Sequence, residues 1–206
     1  MTNDDPTAIP TDETRLPATV LLGPPGAGKG TQGRVLGMIP GFLHWEAGRV
    51  LRALDPQSEV GRRAREVLAR GDLLDDDTVI AVFRDSLRTH TAALAPARPI
   101  LVLDGLPRTI GQARRLMSLV DVIVVLHLVA PDPERLVSRL ALRAGQEGRA
   151  DDGSEAIVRH RLEVYRRATE PVLREFPRDL VVEIDAMRDA VVVTHDILGR
   201  IIERRR

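Results

Sequence analysis

At 206 residues with 43% hydrophobic side chains, the chain suits one medium α/β domain and is too apolar for wholesale disorder. Its 30 basic and 30 acidic residues cancel, which excludes a general nucleic-acid binder, and the lack of cysteine excludes disulfides and a thiolate zinc site. Aromatic residues make up only 2%, so the core must rest on Leu, Val, Ile and Ala.

In chain order, residues 1–16 read as a flexible polar tail without the basic-then-apolar pattern of a secretory signal, so a cytoplasmic location is expected. Ala18–Leu22 is a short apolar run ending at Gly23, the mark of a buried parallel strand. A helix follows from Lys29 to about Met38, stopped by Pro40-Gly41. The next stretch reads mainly as helices, roughly Ala47–Leu54, Val60–Ala69 and Asp76–Arg88, and forms a helical insertion. Pro99–Asp104, Val122–Leu128 and the weaker Leu180–Ile184 are the remaining strand candidates. Helical patterns separate them over Thr109–Leu119, Pro133–Leu142, Ser154–Phe176 and Asp189–Arg205. Arg143–Gly153 is polar and has no core face, as a mobile surface loop would be. Strands alternating with helices predict a doubly wound parallel α/β sheet, with ligands at the strand C-termini. The longest apolar run, Val122–Ala130, is too short to span a bilayer, so no membrane partner is expected.

Gly23-Pro24-Pro25-Gly26-Ala27-Gly28-Lys29-Gly30-Thr31 follows a predicted strand and opens a helix, the context a phosphate-binding loop requires. Glycines let the backbone curl so that several N–H groups face one anion, the helix N-terminus adds a favourable dipole, and Lys29 supplies a point charge. The plainer reading is a glycine-rich turn with an exposed lysine. The residue after Lys29 is Gly30, where a metal-binding Ser or Thr is usual. Water must then carry more of the contact to Mg²⁺, and Asp104 at a strand end is the acidic partner for that hydrated ion. Otherwise Asp104 merely caps the following turn.

GPPGAGKGTQ at Gly23–Gln32, LDGLPRTIGQA at Leu103–Ala113 and the arginine-rich block from Arg139 to Arg161 together resemble adenylate kinases. The resemblance runs from about Ala18 to the C-terminus. It implies a three-layer P-loop NTPase fold over residues 17–206, with a monophosphate-binding insertion at about 45–76 and a short lid at about 143–153. It also implies transfer of a phosphoryl group from ATP, bound with Mg²⁺, to AMP by a monomer. Gly26, Ala27, Gly28, Lys29, Gly30 and Thr31 would wrap the ATP phosphates. Arg139 would lie against the ATP base, with Arg143 on its phosphates. Arg52 and Arg108 would hold the phosphate of AMP, and Gln112 would hydrogen-bond its adenine. Ala47, Asp72, Leu73, Leu74, Gly105, Leu106 and Pro107 would line the monophosphate pocket, and Arg149 and Arg161 would close over both phosphates.

Phosphoryl transfer needs alignment and charge neutralisation more than a strong base, and arginine's planar fork suits phosphate oxygens. The pattern breaks at His44–Arg52, where the family's usual order is Ser-Thr-Gly-Asp, two apolar residues and Arg. Here Gly48 and Arg52 match, while Glu46, Ala47 and Arg49 do not. Ala47 looks like the UMP/CMP kinases, whereas Thr109 and Gln112 point back to adenine. Arg49 reverses a charge expected near the metal, which predicts weakened activity. The alternatives are thus a UMP/CMP or broad-specificity kinase, or a nucleotide-binding regulatory relative.

Overall fold

Every residue of the strand Ile100–Asp104 is buried, as a strand covered on both faces must be. It is β3 of five, with β1 (Pro17–Leu22), β2 (Phe42–Glu46), β4 (Asp121–Val129) and β5 (Val181–Asp185). They form one sheet in the order β2-β3-β1-β4-β5, with every neighbouring pair parallel. The computed structural model describes residues 15–94, 98–147 and 153–204. The tail expected over residues 1–16 lies outside these except for its last two: Leu16 is buried and Arg15 donates to the Met117 carbonyl at 3.1 Å.

The helices are α1 (Lys29–Gly37), α2 (Ala47–Arg52), α3 (Glu59–Ala69), α4 (Asp76–Leu94), α5 (Ile110–Leu116), α6 (Pro133–Glu147), α7 (Glu155–Val164) and α8 (Ala190–Arg204). Strand side chains alternate between faces, and two separate cores result. On one face Val20, Leu103 and Trp45 pack with Phe83 of α4 and Leu116 of α5. On the other, Leu21, Val102 and Leu126 pack with Leu36 of α1 and Ile197 of α8. The outcome is the expected three-layer parallel α/β fold. A third, small cluster joins Leu136 and Leu140 of α6 to Val158 and Leu162 of α7.

Two elements depart from the expectation. The edge strand β2 was hidden in the stretch read as helical, because FLHWE is short, is interrupted by His44 and ends in Glu46. Trp45 is its one fully buried residue, edge-on to Phe83 with ring centroids 4.9 Å apart. The single helix expected over Ser154–Phe176 divides into α7, a π-turn at Tyr165–Thr169 and a 3₁₀ segment at Glu170–Glu175. Pro171 has no N–H to continue an α-helical ladder. In addition, α6 runs through Arg143 to Glu147, so the first residues assigned to the loop are helical.

Candidate active site

The C-terminal ends of β1, β2 and β3 open on a cleft of about 510 Å³. The loop after β1 forms its floor. Gly28, at φ 91°, adopts a left-handed backbone that other residues resist, and it precedes α1 without offering a side-chain cap. The first-turn N–H groups of α1 are therefore left for a ligand at the cleft wall, where the helix dipole favours an anion. Gly26, Ala27, Gly30 and Thr31 line the same wall. Lys29 curls back so that Nζ donates to the carbonyls of Gly23 at 2.7 Å and Pro24 at 3.0 Å.

Burial lowers the Lys29 pKa to about 8; Asp104 opposes the shift, and the positive charges of Arg108, Arg161 and Arg143 add to it. Three arginines from three different helices or loops thus bear on one ammonium. Arg108 stands after the β3 turn with Nε donating to the Gly105 carbonyl at 3.1 Å, while Thr169 of the π-turn donates to the Arg108 carbonyl at 3.0 Å. Arg139 on α6 donates to the Ala186 carbonyl at 3.1 Å, beyond the end of β5. Arg143 stands one turn later on the same helix face. The stem of Arg161 crosses Gly71 so closely that a Cβ there would stand 2.5 Å from Cγ. Arg52 meets Glu46 at 3.4 Å. All six of these cleft cations line the one cavity. Arg149 lies outside the described residues.

Asp104 is 6% exposed, and burial pushes its carboxyl up, against the pull of Lys29 and with a further push from Glu46. Its Oδ2 would stand 3.5 Å from a Cβ added to Gly30. Among the described residues there is no group of three or more His, Cys, Asp or Glu able to hold a metal. Carboxylate oxygen beside a phosphate loop nevertheless fits Mg²⁺, which keeps several waters and takes one or two carboxylates plus phosphates. Glu46 lines this cleft, although it was not among the expected site residues. Only the register of β2 reveals it. Arg49, expected beside the metal, is exposed on α2 and lies outside the cleft lining.

The expected base pocket is a narrow slot of about 20 Å³, room for about one water. Ala47, Leu73, Leu74, Gly105 and Gln112 line it. Gln112 is buried, and its Oε1 accepts from the Arg108 N–H at 2.8 Å. Thr109 caps α5, accepting from the Gln112 N–H at 3.1 Å and donating to Asp76 at 2.7 Å. Asp72 lines the main cleft, and hydrogen bonds from His160 and Arg70 lower its pKa. Pro107 also faces the main cleft, beside the cis Leu106–Pro107 peptide. Leu106 corrects the expectation: it is fully buried in the α4/α5 core and lines neither cavity, because the left-handed turn at Gly105, φ 79°, breaks the strand alternation and returns the chain to the side of Leu103.

A sequence model of a family described as "Adenylate kinase" matches residues 21–181. An adenylate kinase of Thermobifida fusca is 40% identical over 182 residues, covering 85% of this chain and 93% of that protein. One of Hyphomonas neptunium is 37% identical over 185 residues, covering 86% and 94% respectively. One of Thermus thermophilus is 39% identical over 161 residues, covering 76% and 81%.

Proposed function

The chain belongs to the adenylate kinase family, and from that premise we propose how its cleft moves the γ-phosphoryl group of ATP to AMP, giving two ADP. The observation that carries the reading is the convergence of Arg108, Arg143 and Arg161 on Lys29 at the strand ends. Two nucleotides laid end to end bring many negative charges to that point, and such a cluster of cations is otherwise self-repelling.

The ATP phosphates lie on the N–H groups from Gly26 to Thr31, with Arg139 against the base and Arg143 over the phosphates. Lys29 exchanges its two backbone carbonyls for phosphate oxygens and follows the moving group. Arg52 and Arg108 hold the phosphate of AMP and align its attacking oxygen. Because the transition state is loose, these cations act chiefly by position and by spreading charge, and each is worth roughly 10²-fold or more in rate. Bound Mg²⁺ supplies further charge neutralisation on the ATP phosphates, and Asp104 is the residue that would hold it through water.

The base selects itself by hydrogen-bond polarity. The Gln112 oxygen is already used by the Arg108 N–H, so its NH₂ group is what remains to face a ligand. An adenine ring nitrogen accepts from such a donor, and the apolar slot beside it, with room for about one water here, has to widen to take a purine face. Segments at about 45–76 and 143–153 act as the monophosphate arm and the lid, and Arg149 with Arg161 closes over the phosphates and excludes water. No helix among the described residues is long and apolar enough to cross a membrane. A monomer working in the cytoplasm is the simplest setting for this reaction.

A coupled assay with ATP, Mg²⁺ and a panel of AMP, CMP, UMP, GMP and dTMP tests the reading. AMP is expected to turn over fastest. Fast turnover of a pyrimidine monophosphate with none of AMP would replace it.

A further inference from the structure

Glu46 and Asp104 are the last residues of adjacent parallel strands and are paired directly in the β2/β3 register. Neighbouring strands lie about 4.8 Å apart, and residues at matched register leave the sheet on the same face. The residues before them, Trp45 and Leu103, both enter the α4/α5 core. Both carboxylates therefore emerge on the opposite side, the side of α1, where Gly30 stands. Both also line the main cleft together with Lys29 and Gly30. Their proximity is visible in charge as well, since Glu46 pushes the Asp104 carboxyl in the same direction as its burial does.

We propose that Glu46 is the second carboxylate of the metal edge, sharing with Asp104 the water shell of the divalent cation that accompanies ATP. The inference rests on the kinase reading given above and extends it to a residue that the motif pattern does not supply. Gly30 offers no hydroxyl to the ion, so the chain's contribution must come from oxygens that reach the water shell from nearby. Two acids held side by side at a strand edge repel each other, and a shared divalent cation turns that repulsion into binding. The Glu46–Arg52 contact at 3.4 Å is compatible with this. A phosphate arriving at Arg52 offers the guanidinium a bidentate partner and leaves Glu46 to the cation.

The plainer reading makes Glu46 only the ion-pair partner of Arg52. The two readings separate in a binding experiment that needs no turnover. Calorimetry gives the affinity of the protein for diadenosine pentaphosphate with Mg²⁺ and, separately, with chelator, and their ratio measures the enzyme's metal coupling. In Glu46→Gln the ratio is expected to fall about tenfold or more, the usual cost of losing an outer-sphere partner, with metal-free binding unchanged or tighter. Glu46→Asp, which keeps the charge, is expected to recover most of the ratio, and Arg49→Ala, an exposed change, is expected to match the parent. A ratio unaltered in Glu46→Gln, with metal-free affinity changed, would leave Glu46 as a partner of Arg52 alone. If Glu46→Gln does not fold, Glu46→Ser carries the same comparison. No binding of the dinucleotide by the parent protein would instead remove the kinase reading itself.

Discussion

Lys29 sits with its buried ammonium among three guanidinium groups, and burial first, then those positive charges, bring its pKa to about 8 against the pull of Asp104. A polyphosphate laid on the loop favours the charged form and raises the pKa. At pH 8 roughly half of the free sites hold a neutral lysine, so ATP binding should take up about half a proton per site. Calorimetry in buffers of different ionisation enthalpy measures this, above the range near pH 6 in which phosphate itself titrates. Lys29→Arg, which stays charged at every accessible pH, should show no uptake; equal uptake in both proteins would remove Lys29 as its source. The lysine was legible from spacing alone, because the loop needs its residues in strict sequence. Glu46 was not, because its position depends on register with Asp104, more than fifty residues away. Arg49 is exposed and outside the cleft lining, a direction that position in a motif does not give, because it depends on which way a short helix turns its face.

At the level of elements, α5 owes its start to one hydroxyl. Thr109 accepts from the Gln112 N–H and donates to Asp76 at the head of α4, so it locks two helices and the proposed adenine-reading side chain together. Thr109→Val keeps the shape and removes both bonds. It should cost about 1 kcal/mol as a lost N-cap, seen as a lower urea midpoint, and should raise KM for AMP more than for ATP. Equal changes in the two KM values would show that Gln112 does not depend on the cap. Strands with long apolar runs, β1, β3 and β4, were readable because burial on both faces keeps them almost wholly apolar, Thr19 and His127 being the internal exceptions. β2 escaped because an edge strand needs only one buried side chain, here Trp45. The π-turn escaped for a different reason: the widening serves contacts made by Tyr165 and Thr169 with distant residues, and local pattern carries no trace of those.

Across the whole molecule, the alternation of elements implied a parallel sheet, but strand order comes from which crossovers pack, and no local signal encodes it. The two sides of the cleft meet at Gly71, whose φ of 81° and bare Cα admit the stem of Arg161. His160, the residue before it, bonds Asp72 at 2.7 Å, so α7 and the loop between α3 and α4 are joined twice at one place. Gly71→Ala brings a left-handed penalty and a clash, about 1 kcal/mol or more by melting, and pushes α7 from the loop. Because α6 and α7 share their own small core, the displacement should carry both helices, and with them Arg139 and Arg143. Hydrogen exchange should show faster opening of α6 and α7 in this variant with β1 and β3 unchanged. Exchange altered in the sheet alone would contradict it.

Trp45 is the single tryptophan of the chain. Its indole is buried against Phe83, and the next two residues along are Glu46 and Ala47, one facing the cleft and the other the base slot. Excited beyond the absorption of Tyr165, the emission of the protein therefore originates beside the place proposed for the acceptor nucleotide. On that proposal, the molecule carries its own unlabelled optical gauge of whether the acceptor seat is filled.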